Sequence, residues 1–179
     1  MLPLVIPEME YFDENQNRFV TAPRRELQLE HSLVSVSKWE SKWKKPFLGK
    51  EQKTLSETLD YVRCMTITQN VDPSVYTRLT AANIEQVNAY IDDPMTATTF
   101  KKTQRTGGHG IVTSEIIYYW MIALEIPMEC QKWHLNRLLT LIRVCDEKSQ
   151  PKKKMGRRDV MSQYQSLNAA RRRSMGTRG

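Results

Sequence analysis

The chain has 179 residues, a net charge of +7, 40% apolar residues and three cysteines. This apolar content is enough to bury a core, and an odd number of unevenly spaced cysteines argues against a disulfide-rich secreted protein. The first ten residues, MLPLVIPEME, contain two prolines and no basic residue, so they are not typical of a secretory signal.

Basic residues are concentrated at the C-terminal end. Residues 148–179 include ten Lys and Arg residues and one acid, Asp159, which gives a net charge of +9, whereas residues 1–147 have a net charge of −2. We therefore predict a mainly helical body over 1–147 and a basic C-terminal tail over 148–179. Such a tail is typical of segments that bind an anionic partner, and also of solvated extensions that keep a protein soluble.

The first part of the chain, about 1–31, has the pattern of β structure. LPLVI is a short apolar strand, and aromatic or β-branched residues stand on both sides of a polar loop at 13–17, which predicts a hairpin. ELQLEHS alternates polar and apolar residues and predicts a third strand. A sheet this small needs a helix packed against it for stability.

Helical periodicity begins at Leu33, where apolar residues recur at helical spacing as far as Trp43, and Pro46 ends the segment. Trp39 and Trp43 share one face with lysines close by. Aromatic and basic residues in this arrangement can stack nucleic-acid bases, but they more often anchor a core whose edges are covered by lysine stems. We favour the core interpretation.

Three further helices have start signals in the sequence. Thr54 and Glu57 have the spacing of a capping box. Asp72-Pro73 is typical of a helix start with proline in the first turn. Thr80 precedes a third periodic segment that ends before a proline. The following basic, glycine-rich stretch, KKTQRTGGHG at 101–110, lacks periodicity and a phosphate-binding spacing, so it predicts an exposed loop.

The most apolar stretch is SEIIYYWMIAL, which predicts a helix from about Ser114 to Leu124. It is too short to span a membrane, because Glu125, Pro127 and Glu129 interrupt it well before the roughly 20 apolar residues that a span requires. A helix that is apolar on all sides is either central to a core or partly exposed to a partner. The core interpretation is the more common one.

Pro127 predicts the start of the next helix at its first turn, and that helix is amphipathic. Its apolar face consists of Leu135, Leu138, Leu139 and Ile142. After Cys145 the composition changes to a charged linker, followed by one more predicted helix with a thin apolar stripe.

No residue pattern predicts catalysis, a metal site or a cofactor site. Cys130 and His134 lie four residues apart, which is a metal-ligand spacing, but a zinc site needs three or four ligands and no second pair is present in the sequence. We therefore predict a non-enzymatic protein without a cofactor. The predicted fold class is α+β and mainly α-helical, with a small N-terminal hairpin or sheet, a helical body and a basic tail.

Several long stretches resemble one family in the same order, between Leu27 and Gly179. They are LQLEHSLVSVSKWESKW, CMTITQNVDP, MTATTF, SEIIYYWMIALEIPMECQKWHLNRLLTLIRV and SLNAARRRSMGTRG. They resemble the tail assembly chaperones of long-tailed, siphovirus-like bacteriophages, which are made next to the tape measure protein. The family has no catalytic residue to carry over.

The resemblance implies a protein of the host cell cytoplasm that binds and shields the tape measure protein during tail assembly. It would meet the tail tube protein at the handover and be absent from the mature virion. Self-association is predicted from the sequence itself, because a helix that is apolar on all sides precedes a second helix with a wide apolar face. A second interpretation is a virion structural protein, such as a connector or a tail-tube-associated subunit. A third, less favoured, is a nucleic-acid-binding protein acting through the tail. No membrane association is expected.

The candidate partner-binding residues are apolar residues of the Ser114–Leu124 helix and basic residues of the tail. They are Ile117, Tyr118, Trp120, Met121, Lys152, Lys153, Lys154, Arg157, Arg158, Arg171, Arg172 and Arg173.

Overall fold

The computed structural model of the protein describes residues 1–13, 17–100, 110–149 and 157–176. These residues form two compact units, Met1–Asp146 and Glu147–Gly179. The first unit combines a small amount of antiparallel β structure with several helices, so the predicted mainly helical α+β class is confirmed.

Four strands form two antiparallel pairs: β1 (Leu2–Ile6) pairs with β4 (Arg25–Leu29), and β2 (Met9–Asp13) pairs with β3 (Arg18–Ala22). The chain runs out through β1 and β2 and returns through β3 and β4. Pro7 separates β1 from β2, and Pro23 separates β3 from β4. Proline has no N–H to donate, so the hydrogen bonding between the strands is interrupted at these positions. The sequence predicted the β2–β3 hairpin but not the pairing of β1 with β4.

The helices follow in the order that the sequence predicts. They are α1 (Leu33–Trp43), α2 (Leu55–Met65), α3 (Ser74–Thr77), α4 (Ala81–Asp92), α5 (Ser114–Ala123), a 3-10 helix (Met128–Lys132), α6 (Leu135–Ser149) and α7 (Arg157–Met175).

Local chemistry explains where these helices begin. Thr54 and Glu57 form the predicted capping box, in which each side chain accepts a backbone N–H of the other residue. Thr80 caps α4 in the same way with Asn83. These reciprocal hydrogen bonds satisfy N–H groups that have no partner inside the helix.

The helix predicted to begin at Pro127 differs in the structure. Pro127 precedes the short 3-10 helix, and α6 begins only at Leu135. Trp133 has an extended backbone, and His134 forms an antiparallel bridge with Ser32. This pairing with a residue 102 positions earlier interrupts the helix, and the local sequence carries no signal for it.

The core of the first unit is formed by the β1–β4 pair and helices α1–α6. From the strands it takes Leu4, Ile6, Leu27 and Leu29, all buried. Trp39 of α1 is buried as predicted, and its indole N–H donates to the carbonyl of Glu57 at 2.9 Å. Burying an aromatic ring together with its polar atom requires such a partner.

The second unit contains α7. Its described side chains are exposed, including the apolar Met161, Tyr164 and Leu167.

Candidate functional site

The position of α5 is set by a buried carboxylate on α1. Glu40 is buried, and one of its oxygens accepts the backbone N–H of Ser114 at 2.7 Å, while the other accepts the N–H of Phe47 at 2.7 Å. Thr113, the N-cap residue, makes no side-chain capping bond. A negative charge at a helix N-terminus is stabilised by the helix dipole, so Glu40 replaces the missing local cap.

The inward side of α5 belongs to the core. Ile117 and Met121 are both 0% exposed. A side chain without accessible surface cannot contact a partner while the protein keeps this fold. In this fold both residues pack in the core.

The other two candidate residues of α5 are partly buried. The hydroxyl of Tyr118 donates to the side-chain oxygen of Gln131 at 2.9 Å, which ties α5 to the 3-10 helix. Burial raises the pKa of this hydroxyl, so it stays protonated and keeps that hydrogen bond. Trp120 packs against the edge of the core and faces an open groove.

This groove runs between α5 and α6 and has a volume of about 640 Å³. Its lining is mostly aliphatic or aromatic, with one basic and one acidic residue. The lining residues are Gly110, Ile111, Val112, Ile116, Trp120, Ala123, Leu124, Leu139, Ile142, Arg143 and Asp146. A volume of this size lies within the range of pockets that hold a ligand or a segment of a partner.

Two further apolar residues of α5 are exposed outside the groove lining. Tyr119 adjoins the groove, whereas Ile122, two positions after Trp120, lies on another side of the helix. Tyr119 and Ile122 are each 67% exposed. Tyr119 lies three positions after Ile116 and four before Ala123, so all three occupy one side of the helix. A continuous apolar surface of this kind on a folded protein usually marks an interaction site. The exposure of Tyr119 and Ile122 was not predicted, because the sequence of a helix that is apolar on every side has no periodicity to show which side is buried.

The tail candidates divide into two groups. Lys152, Lys153 and Lys154 lie outside the described residues. Arg157 is the first residue of α7, whose exposed basic side chains include Arg158, Arg171, Arg172 and Arg173. The arginines stand near both ends of α7, with the exposed apolar side chains between them.

A buried polar cluster lies at the centre of the first unit. His31 is 1% exposed, and its Nδ1 shares a hydrogen bond with the hydroxyl of Tyr61. The imidazole rings of His31 and His134 have centroids 5.1 Å apart. Burial and, as a smaller effect, the neighbouring His134 together lower the pKa of His31 to about 3. His31 is therefore neutral at physiological pH.

His134 holds the start of α6 through both ring nitrogens. Its Nε2–H donates to the carbonyl of Tyr90 at 2.9 Å, and its Nδ1 accepts the backbone N–H of Asn136 at 3.3 Å. Cys130, the residue at metal-ligand spacing, is buried. In the part of the chain that the structure describes, no group of histidine, cysteine and acidic residues has the arrangement of a metal site.

No helix among the described residues is long and apolar enough to cross a membrane. No protein family, curated protein or solved structure matches this chain.

Proposed function

We propose that the protein is a phage tail assembly chaperone that binds and shields the tape measure protein in the host cell cytoplasm. The observation that carries this proposal is the open apolar groove between α5 and α6, together with the exposed Tyr119 and Ile122. The stretch that forms these two helices also contains the longest part of the resemblance described above.

The groove suits an amphipathic helix of a partner. Such helices bind by placing apolar side chains at positions i, i+3, i+4 and i+7 into an apolar groove. A tape measure protein is long, helical and rich in apolar stripes, so its unpaired segments would aggregate without cover. Several copies of the chaperone, each with modest affinity, would cover the tape measure protein through avidity. The tail tube protein would then displace them, and the finished particle would lack the chaperone.

The basic tail supplies a second contact in this proposal. Arg158 and Arg171–Arg173 flank the exposed apolar residues of α7. A helix of this type binds partners that combine an apolar stripe with acidic residues. Lys152–Lys154 would add positive charge to the same contact.

The test is co-expression of tape measure fragments with the wild type or with one of two variants. Each variant replaces one aliphatic residue by glutamate. Ile116→Glu places a charge in the groove, whereas Leu55→Glu places the same charge at an exposed apolar residue of α2 that lies outside it. We expect wild type and Leu55→Glu to keep the fragment soluble and Ile116→Glu to lose this effect. An unchanged soluble fraction with Ile116→Glu, or no effect of the wild type, would contradict the proposal.

One observation favours the second function, a virion structural protein. The β2–β3 hairpin carries exposed aromatic residues, including Phe12 and Phe19, and exposed aromatic hairpins suit contacts between neighbouring subunits of an assembly. Mass spectrometry of purified phage particles distinguishes between the two functions. A structural protein is present at a fixed copy number, and a chaperone is absent.

A further inference from the structure

The loop between α1 and α2, residues 44–54, carries one aromatic side chain, and that side chain is buried. Phe47 is 6% exposed. Its ring meets the ring of Trp39 in α1 edge to face, with centroids 5.3 Å apart, and lies tilted against the ring of Tyr61 in α2, with centroids 4.0 Å apart. Aromatic pairs of this kind are stabilised beyond the effect of the area that they bury. Phe47 therefore attaches the loop to both helices.

The side chain of Lys53, at the far end of the loop, contacts Phe47 in two ways. Its Nζ donates to the carbonyl of Phe47 at 2.9 Å in a partly buried hydrogen bond. The same nitrogen lies 4.2 Å from the centroid of the Phe47 ring and 5.8 Å from that of Trp39. An ammonium group is attracted by the face of an aromatic ring, and more strongly where water is excluded. Lys53 therefore holds both the backbone and the ring of Phe47.

Phe47 is connected in turn to the helix that forms the groove. The backbone N–H groups of Phe47 and Ser114 donate to the two carboxylate oxygens of Glu40, each at 2.7 Å. Ser114 is the first residue of α5, and Ile116, two positions later, lines the groove. A displacement of Phe47 would therefore move the carboxylate that holds the first turn of α5.

We propose that Lys53 is a positioning residue for the groove, which acts through Phe47 and Glu40 on the start of α5. Lys53 is not among the residues that line the groove. While it holds the loop, Phe47 keeps its N–H on Glu40, and the carboxylate stays aligned with the N–H of Ser114. Without it the loop gains freedom, and the first turn of α5 opens more often. Coupling between distant positions is carried by packed side chains and hydrogen bonds that form a connected network.

Hydrogen exchange of the full-length protein, resolved by residue with NMR, tests this coupling without a partner. Lys53→Met removes the amine and keeps an apolar side chain, and Lys53→Arg restores a donor. Lys50→Met makes the same change at an exposed lysine of the same loop. We expect the backbone N–H of Ser114 to exchange about threefold to tenfold faster in Lys53→Met, in line with couplings through such networks. Lys50→Met should keep the wild-type rate, and Lys53→Arg should recover most of the protection.

The backbone N–H of Ile84 is the internal reference for general stability. It also lies near the start of a helix, α4, where it donates to the carbonyl of Thr80 at 3.1 Å. We expect its exchange rate to stay within about twofold of the wild type in every variant, because local opening of α5 does not open α4. Equal acceleration of Ser114 and Ile84 in Lys53→Met would indicate a general loss of stability and would overturn the proposal. An unchanged rate at Ser114 would overturn it as well.

Binding of a tape measure fragment is the second readout, and this part rests on the proposed function of the groove. We expect Lys53→Met to bind the fragment more weakly than Lys50→Met, since Ile116 in the first turn of α5 lines the groove. Wild-type affinity in Lys53→Met would overturn the role of Lys53 in the groove. A fragment that the wild type does not bind would contradict the proposed function, whereas the exchange rate of Ser114 decides the coupling by itself.

Discussion

The carboxylate of Glu40 in α1 connects two segments far apart in the chain, because its two oxygens accept the backbone N–H groups of Ser114 and Phe47, each at 2.7 Å. Both hydrogen bonds are buried. One side chain therefore fixes the start of the helix that forms the groove and the loop that follows α1.

Replacing Glu40 by alanine should be strongly destabilising. It leaves two buried N–H groups without an acceptor, which we expect to lower the free energy of unfolding by about 2–4 kcal/mol. Glu40→Gln keeps one side-chain oxygen and should cost less. Urea unfolding of the two variants and the wild type measures the difference. Equal losses for alanine and glutamine would show that the hydrogen bonds do not carry the effect.

The stability of the protein should fall when the solution is acidified below pH 6.5. The pKa of His31 is lowered from 6.5 to about 3 in the folded protein by burial, so the unfolded chain binds this proton first. The stabilisation is complete above pH 6.5, and it decreases by about 1 kcal/mol for each pH unit between 6.5 and 3.

Denaturant unfolding between pH 7 and pH 5 checks this dependence, with His31→Phe as the comparison. This window avoids the acid range in which Glu57 also contributes. The hydrogen bond from Lys45 and those from Thr54 lower the pKa of Glu57 to about 2, so its stabilising effect is lost only below its ordinary pKa of 4.5. An equal pH dependence in His31→Phe would assign the effect to another group.

Trp120 and Met121 are adjacent in sequence, but replacing each by alanine should change the stability of the protein by different amounts. Met121 is 0% exposed, and we expect Met121→Ala to cost about 2–5 kcal/mol, because it leaves a cavity in the core. Trp120 lines the groove and is only partly buried, so Trp120→Ala should cost less than the 3–5 kcal/mol of a fully buried ring.

Under the proposed function, binding of a tape measure fragment should show the opposite order. We expect Trp120→Ala to weaken binding about tenfold or more at a temperature where it stays folded, since the ring forms the wall of the groove. Calorimetric titration with a tape measure fragment measures this. A Trp120→Ala protein that is as unstable as Met121→Ala and binds normally would place the ring in the core and not in the contact.

Removing the second unit should leave a folded body. The residues up to Asp146 form a compact unit that contains the described core, so a chain that ends after Glu147 should unfold cooperatively with a similar midpoint. Thermal unfolding followed by circular dichroism measures it. The loss of a cooperative transition would mean that residues after Glu147 are part of the core.

Binding of the basic tail to an acidic partner should depend on the positive charge of the tail. Neutralising Lys152–Lys154 or Arg171–Arg173 with glutamine should weaken binding to an acidic partner and flatten its dependence on salt, because exposed charges act most strongly at low ionic strength. Binding at several salt concentrations measures both effects. Affinity that stays at the wild-type value in low salt would assign the tail to solubility alone.

Short-range sequence patterns were sufficient to predict much of the local structure. The capping box of Thr54 and Glu57, the start of α4 at Thr80 and the hairpin of β2 and β3 are all present as predicted. Each depends on residues a few positions apart, and short-range hydrogen bonds and side-chain alternation are readable from spacing. The basic composition of the tail is likewise a property of the sequence.

The buried side of α5 and the start of α6 depend on long-range packing and could not be predicted from local patterns. Ile117 and Met121 were predicted as contacts and lie in the core, whereas Tyr119 and Ile122 were not predicted and are exposed. In a helix that is apolar on all sides, the sequence pattern does not distinguish one side from another. The buried side is therefore determined by the elements that pack against the helix. The hydrogen bond of Glu40 to Ser114 joins residues 74 positions apart. Such contacts depend on the fold that brings the residues together, and no local spacing indicates them.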